Sequence, residues 1–192
     1  MPDPNPAAME FLLTRRSRPA KTLQAPVPRK AELLPILSAA ARSPDHGKLE
    51  PWRFIVLQGG AMDRLAGLAR LRGAELGYDV EKIEKGAAQF VTGELAVAVI
   101  EVQKPSEKVP AIEQTYAVGG VCLALLNAAL ASGWGANWLS GWPSHDRSFV
   151  QAGLGLGAQE RVAGIIHIGT EKAVPPERPR PDLDAITDWT DT

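Results

Sequence analysis

A chain of 192 residues with 45% hydrophobic and 22% charged side chains has the make-up of one soluble globular domain with a sizeable core. Its formal net charge of −1, with no basic stripe, argues against nucleic acid as a partner, because phosphate backbones are held by clustered cations. The single cysteine, Cys122, excludes an intrachain disulfide and any multi-cysteine zinc or iron–sulfur site; in an Ala- and Leu-rich run it reads as a small core residue rather than a reactive thiol.

Residues 1–8 are rich in Pro and Asn and lack the basic-then-apolar order of a signal peptide, so a flexible N-terminus and a cytoplasmic protein are expected. Residues 9–14 form a short helix that runs out at Arg15-Arg16. A second helix covers 30–42, with Leu33, Leu34, Ile36 and Leu37 on a buried stripe, and stops before the turn-forming Ser43-Pro44-Asp45. A strand follows at 52–57, closed by Gly59-Gly60, and helical patterns cover 61–76 and 80–90. Leu95–Val102 is nearly continuous apolar sequence, as expected of a strand covered on both faces. Residues 110–132 make the longest helix, roughly 30 Å at about 1.5 Å per residue. It is apolar almost all round, which predicts burial on every side and points to a partner subunit. The greasy stretch within it, 117–131, is too short for a bilayer, which needs about 20 residues.

Gly133 caps that helix, and 136–139 is a short strand. Residues 144–152 form a helix with Ser144 as its cap, and 162–169 another strand. From 171 onward Pro175, Pro176, Pro179 and Pro181 forbid regular structure. The tail is expected to run extended over a second copy of the chain, with 184–190 docking at its end. Helices outnumber short strands, so the fold class is α/β (α+β), three-layered, in one domain spanning 1–192 with 171–192 as an extended arm.

Among the motifs, Gly153-Leu-Gly155-Leu-Gly157-Ala158 mimics a dinucleotide fingerprint. It follows a helix instead of a strand, however, and reads as a glycine-rich helix stop. His46, His145 and His167 have no partner at metal-ligand spacing, and His167, in an apolar strand, is expected to be a satisfied core or interface histidine. No nucleophile elbow of the G-x-S-x-G kind occurs. Three polar segments remain. Arg15-Arg16-Ser17-Arg18 offers fork-shaped cations suited to a phosphate, though a solvated basic patch has the same composition. Residues 43–52, Ser-Pro-Asp-His-Gly-Lys-Leu-Glu-Pro-Trp, form a polar loop feeding a strand, either a binding loop or a plain surface turn. At Asn137-Trp138-Leu139-Ser140-Gly141 a strand ends in small residues whose N–H groups can approach a flat ring; a core tryptophan beside a turn would look alike.

These segments, with Ile168-Gly169-Thr170 closing the last strand, resemble in order and spacing the nitroreductase family, and within it the small YdjA-like branch. The resemblance covers 9 to about 181. It implies a nitroreductase-like mixed central sheet flanked by helices, a homodimer with an exchanged C-terminal arm, and two FMN molecules in clefts between subunits. Arg15, Arg16 and Ser17 would hold the phosphate, ribityl chain and pyrimidine edge, with Arg180 completing the phosphate grip. His46, Lys48 and Glu50 would arrive from the opposing subunit, and Trp138, Leu139, Ser140 and Gly141 would line the ring. Glu50 stands where relatives commonly carry glutamine, and Pro19 where many carry a basic residue that Arg18 or Lys21 can replace. The implied activity is hydride transfer from NADH or NADPH through FMN to a small electrophilic acceptor, a nitroaromatic or quinone, by a ping-pong scheme. No separate catalytic side chain and no metal are expected. Two rivals are an FMN-binding or sensor protein with little turnover, and a specialised flavin dehydrogenase or dehalogenase with an ordered lid near residues 72–93.

Overall fold

The structure, a computed structural model, describes residues 3–191. Helix α1 spans Pro6–Thr14, starting three residues earlier than its apolar pattern. Asn5 explains the early start: its Oδ1 accepts the Ala8 N–H at 3.1 Å, and Pro6 occupies the first turn, where a missing N–H costs nothing. Residues 6–8 therefore belong to a helix, whereas Met1 and Pro2 lie outside the described residues. Strand β1 is Leu23–Gln24, and α2 is Lys30–Ala40. On α2 Leu33 and Ile36 are buried but Leu34 is 50% exposed. At about 100° per residue, positions 33, 36 and 37 fall within one arc and 34 falls outside it, so the expected four-residue stripe loses Leu34.

Strand β2 is Trp52–Gln58, followed by α3, Gly60–Glu75, and α4, Val80–Val91. The two helices form an antiparallel hairpin held by Arg70 on Glu84 at 2.8 and 2.9 Å. Strand β3 is Leu95–Val102, α5 is Ala111–Ala131 and β4 is Gly135–Leu139. Helices α6, Trp142–His145, and α7, Arg147–Leu154, precede β5, Glu160–Glu171. The cap of α7 is Asp146, whose Oδ1 accepts the Phe149 N–H at 2.8 Å; the expected cap, Ser144, lies buried in α6. The earlier break comes from Pro143 in the first turn of α6 and the extended Asp146 that ends it. Gly155 ends α7 in the left-handed region (φ 66°), so the glycine-rich motif is a helix stop as expected.

The sheet runs β2-β3-β5, with β4 on the other edge of β5 and β1 pairing its last residues. Every pairing among the described residues is antiparallel, where the resemblance led to an expectation of mixed directions. Two antiparallel helices connect β2 to β3, so the chain re-enters the sheet at the end it left and reverses direction. One face of the sheet packs on α2 and α5 through Val97, Val99, Ile166 and Ile168; the other packs on α3, α4 and α7 through Ala96, Ala98, Ile100 and Ile165. This is the expected three-layer arrangement. Helix α5 has the length and mean hydropathy (1.4) of a membrane span, yet Val118, Val121, Cys122, Leu125 and Ala129 are fully buried against the sheet. Within the single chain it is not covered on every side: Ile112, Tyr116 and Leu123 are 52%, 70% and 46% exposed. The tail from Lys172 to Asp191 forms neither helix nor strand, and its Leu183, Ile186 and Trp189 lie open on this chain.

Candidate active site

The segment leaving α1 is fastened to β4 by the Arg18 N–H, which donates to the Ala136 carbonyl at 2.8 Å. Two cavities lie on successive stretches of this junction, with no lining residue in common. The first, about 280 Å³, has Arg15, Arg16 and Arg18 on one side and Trp134, Gly135 and Glu171 on the other. Arg15 donates from Nη2 to Ser17 Oγ at 2.9 Å, and its Nε is buried without a partner. Burial, then the positive charges of Arg180 and Arg16, holds its guanidinium below its ordinary range. Arg16 Nε donates to the Pro176 carbonyl at 3.3 Å, and Arg180 pairs with Glu177 at 2.5 Å. Arg15, Arg16 and Ser17 thus stand at one corner of one chain, within the field of the Arg180 charge, which Glu177 holds. Like charges crowded around a buried, unpartnered N–H are unfavourable unless an anion joins them. The donor set therefore fits a phosphate. Arg18 is otherwise engaged, on Glu171 and on the Arg16 carbonyl.

The second cavity, about 820 Å³, lies beyond Pro19. Lys21 and Ala20 line one side, Asn137, Leu139, Ser140 and Gly141 the floor, and α4 with Trp142 the far wall. Because side chains alternate along a strand, Trp138 points the other way. Its indole covers Gly164 so closely that no Cβ could fit there. Of the four residues expected around the ring, Leu139, Ser140 and Gly141 line this cavity and the Trp138 side chain does not. Ser140 Oγ lies 3.0 Å from His145 Nε2. Of the two cations that could stand in for a basic residue at Pro19, Lys21 lines this cavity and Arg18 does not.

His46, Lys48 and Glu50 lie elsewhere. Asp45 shapes their loop by accepting the Leu49 and Glu50 N–H groups at 2.5 and 3.0 Å. That grip holds Lys48 (φ 54°) and Glu50 (φ 49°) in the left-handed region, costly for side chains with a Cβ and most often seen at functional sites. His46 Nδ1 sits 2.7 Å from Glu113 Oε2 at the start of α5. The arginine corner touches Leu130 near the other end of α5, roughly 25 Å away at about 1.5 Å per residue. One chain does not bring the two groups together. No Lys48–Glu50 ion pair forms among the described residues.

The α4 wall falls in the stretch 72–93 where the second rival expects a lid, but sequence reasoning singled out none of its residues. Lys82, Lys85, Gln89 and Thr92 recur at i, i+3, i+7 and i+10, a polar stripe on one helix face that periodicity could have flagged. Gly86 lies between them because Trp142 presses on it, its Nε1 donating to the Lys82 carbonyl at 3.1 Å. His167 is also a correction. It is fully buried beside Asn137, but neither ring nitrogen has a partner, and burial pushes its pKa down to about 4. The main chains of β3 and β4 bond to β5 itself, and Nδ1 lies against Gly93, where a Cβ would come within 2.5 Å of it.

The fold is that of nitroreductase-like proteins: a nitroreductase-like family protein from Bacillus cereus superposes with TM-score 0.81 at 21% identity, each chain covered fully. A provisionally assigned nitroreductase from Desulfovibrio desulfuricans, solved in complex with FMN, superposes with TM-score 0.74 at 19% identity over 98% of this chain and 99% of that one. In sequence, the provisionally named NAD(P)H nitroreductase YdjA of Escherichia coli is 31% identical over 163 residues, 85% of this chain and 87% of that protein. The profile of the Nitroreductase family matches residues 12–170. The chain belongs to the nitroreductase family and is an oxidoreductase.

Proposed function

We propose that the protein is an FMN-dependent oxidoreductase that takes hydride from NADH or NADPH and passes it to a small electrophilic acceptor, a nitroaromatic or quinone, in ping-pong order. The observation that carries this is the unpartnered Arg15 Nε beside Arg16 and within the field of Arg180, next along the chain and along β4 from the large cavity at the end of that strand. Arg15, Arg16, Ser17 and Arg180 would hold the phosphate end, and Leu139, Ser140 and Gly141, with the main chain of Trp138, the ring. FMN would supply the hydride-carrying N5 that no side chain of this protein offers. Backbone N–H groups at Ser140 and Gly141 would orient the ring and favour negative charge developing on it. Lys21 would add a positive charge at that wall.

His46, Lys48 and Glu50 belong to this site only in a homodimer, since α5 keeps them a helix length from the arginines of their own chain. The exposed α5 stripe and the apolar tail end support such a dimer, with the final tail residues crossing to the neighbour. The folding of α4 over the cavity favours, as a second reading, a specialised flavin enzyme acting on a defined metabolite.

The decisive experiment is to purify the protein, record its visible spectrum, and add NADH and then NADPH without oxygen. Flavin absorbance that bleaches with either nucleotide is the expected result. A colourless protein that fails to take up added FMN contradicts the proposal, and bound FMN that neither nucleotide reduces favours a sensor.

A further inference from the structure

The large cavity carries more information than a flat ring requires. Its lining includes three ammonium groups, Lys21, Lys82 and Lys85, and no carboxylate. Lys82 Nζ rests 3.2 Å from the Tyr78 ring centroid, a cation–π contact that sets its position without cancelling its charge. None of the three lysines takes part in an ion pair among the described residues. Apart from His46, the ion pairs among the described residues are made by arginines, Arg53, Arg70, Arg72 and Arg161 among them, so all three ammonium charges of the cavity stand unneutralised. At the bottom, Gln89 is only 7% exposed. Its amide nitrogen donates to the Gly86 carbonyl at 3.0 Å and its Oε1 is buried without a partner. The exposed lysines therefore make a positive rim, and Gln89 an unanswered hydrogen-bond acceptor at depth. An acceptor left bare in a closed site costs free energy until a ligand donor reaches it.

We propose that this cavity selects a small reaction partner carrying an anionic group, a carboxylate or phosphate, which Lys82 and Lys85 of α4 hold at the rim while an N–H or O–H of the same molecule can reach Gln89. This deepens the flavin reading and rests on it. The anion has two possible sources, a carboxylated electron acceptor or the phosphates of the nicotinamide nucleotide. Lys82 and Lys85 lie on α4 and not in the arginine corner, so the cofactor phosphate would not neutralise them. Each ammonium near an anion in water strengthens binding by roughly fivefold, and salt screens the effect.

Two ligand pairs test the proposal, with the protein as purified and with the double variant Lys82→Gln/Lys85→Gln. The first pair is 4-nitrobenzoate against neutral methyl 4-nitrobenzoate, followed by calorimetric dissociation constants and by KM. The second is NADH against neutral 1-benzyl-1,4-dihydronicotinamide, followed by rates of anaerobic flavin reduction. A preference of about tenfold or more for the anionic member of a pair, shrinking in 0.5 M salt and lost in the double variant, is expected. Its appearance in the first pair assigns the anion to the acceptor, and in the second to the hydride donor. Equal binding within both pairs, or a preference that survives the double variant, overturns the proposal. A colourless protein that still binds 4-nitrobenzoate tenfold more tightly than its ester would sink the flavin reading alone, because calorimetry needs no flavin. Circular dichroism of the double variant checks that α4 remains folded.

Discussion

Arg15 and His167 are both partly or wholly buried polar residues without full partners, and their chemistry predicts opposite behaviour. Arg15 stays charged, and in the proposed reading its guanidinium receives the cofactor phosphate. Charge-assisted bonds of its kind contribute about 1.5–3 kcal/mol, so Arg15→Ala should weaken FMN binding by roughly 10- to 100-fold while leaving the subunit association unchanged. Flavin fluorescence titration and sedimentation measure the two quantities, and unchanged flavin content would count against this placement of the phosphate. His167 instead stays neutral. Its folded pKa of about 4 lies below the ordinary 6.5, so the unfolded chain binds the extra proton first as pH falls. Stability is therefore lost as pH drops from about 6.5 towards 4, by about 2 kcal/mol between pH 7 and 5. Urea unfolding at those two pH values checks the slope, and His167→Leu should flatten it. Cys122, by contrast, matches its sequence reading: it is fully buried, and burial pushes its thiol up to about 12.

At the scale of elements, α4 lies in the stretch where a lid is expected, but only the fold shows which of its residues face the cavity. Its polar residues look like a solvated face until Trp142 and β4 close a cavity against them. The contact depends on Gly86, since a Cβ there would strike the indole of Trp142. Gly86→Ala gains helix propensity of about 1 kcal/mol, but displacing a packed indole costs about 1–3 kcal/mol. The expected outcome is a modest fall in thermal midpoint together with altered tryptophan fluorescence, and a KM for the acceptor that changes more than kcat. An unchanged emission spectrum would show that Trp142 does not rest there. The loop at 43–52 follows the same logic at smaller scale. Its left-handed Lys48 and Glu50 are held by Asp45, a residue that sequence spacing marked only as part of a turn.

For the whole molecule, the open stripe of Ile112, Tyr116 and Leu123 on α5 and the bare Leu183, Ile186 and Trp189 of the tail are the surfaces a second copy would cover. Leu123→Glu would place a charge on that stripe, where desolvating it costs several kcal/mol. A folded monomer by circular dichroism and sedimentation is expected, with flavin retention lost because His46, Lys48 and Glu50 no longer reach a partner's site. A dimeric variant that keeps its flavin would show that α5 is not the interface. The tail near Pro176 bonds to Arg16 of its own chain, so any exchange between subunits begins beyond that point.

Local patterns in the chain were enough to define most helices and strands, the burial of Leu95–Val102 and Cys122, and the ordered set of arginine, loop and glycine-turn motifs that betrays the family. These features depend on side-chain periodicity and turn chemistry, which act between near neighbours. Tertiary structure decided the rest. It set the antiparallel direction of the sheet, turned Trp138 away from the cavity, left His167 unpartnered, brought the charge of Arg180 to bear on Arg15, and raised the lysine rim on α4. Each of these is a meeting of residues far apart along the chain, and distance in sequence carries no record of which face or which charge will be found opposite.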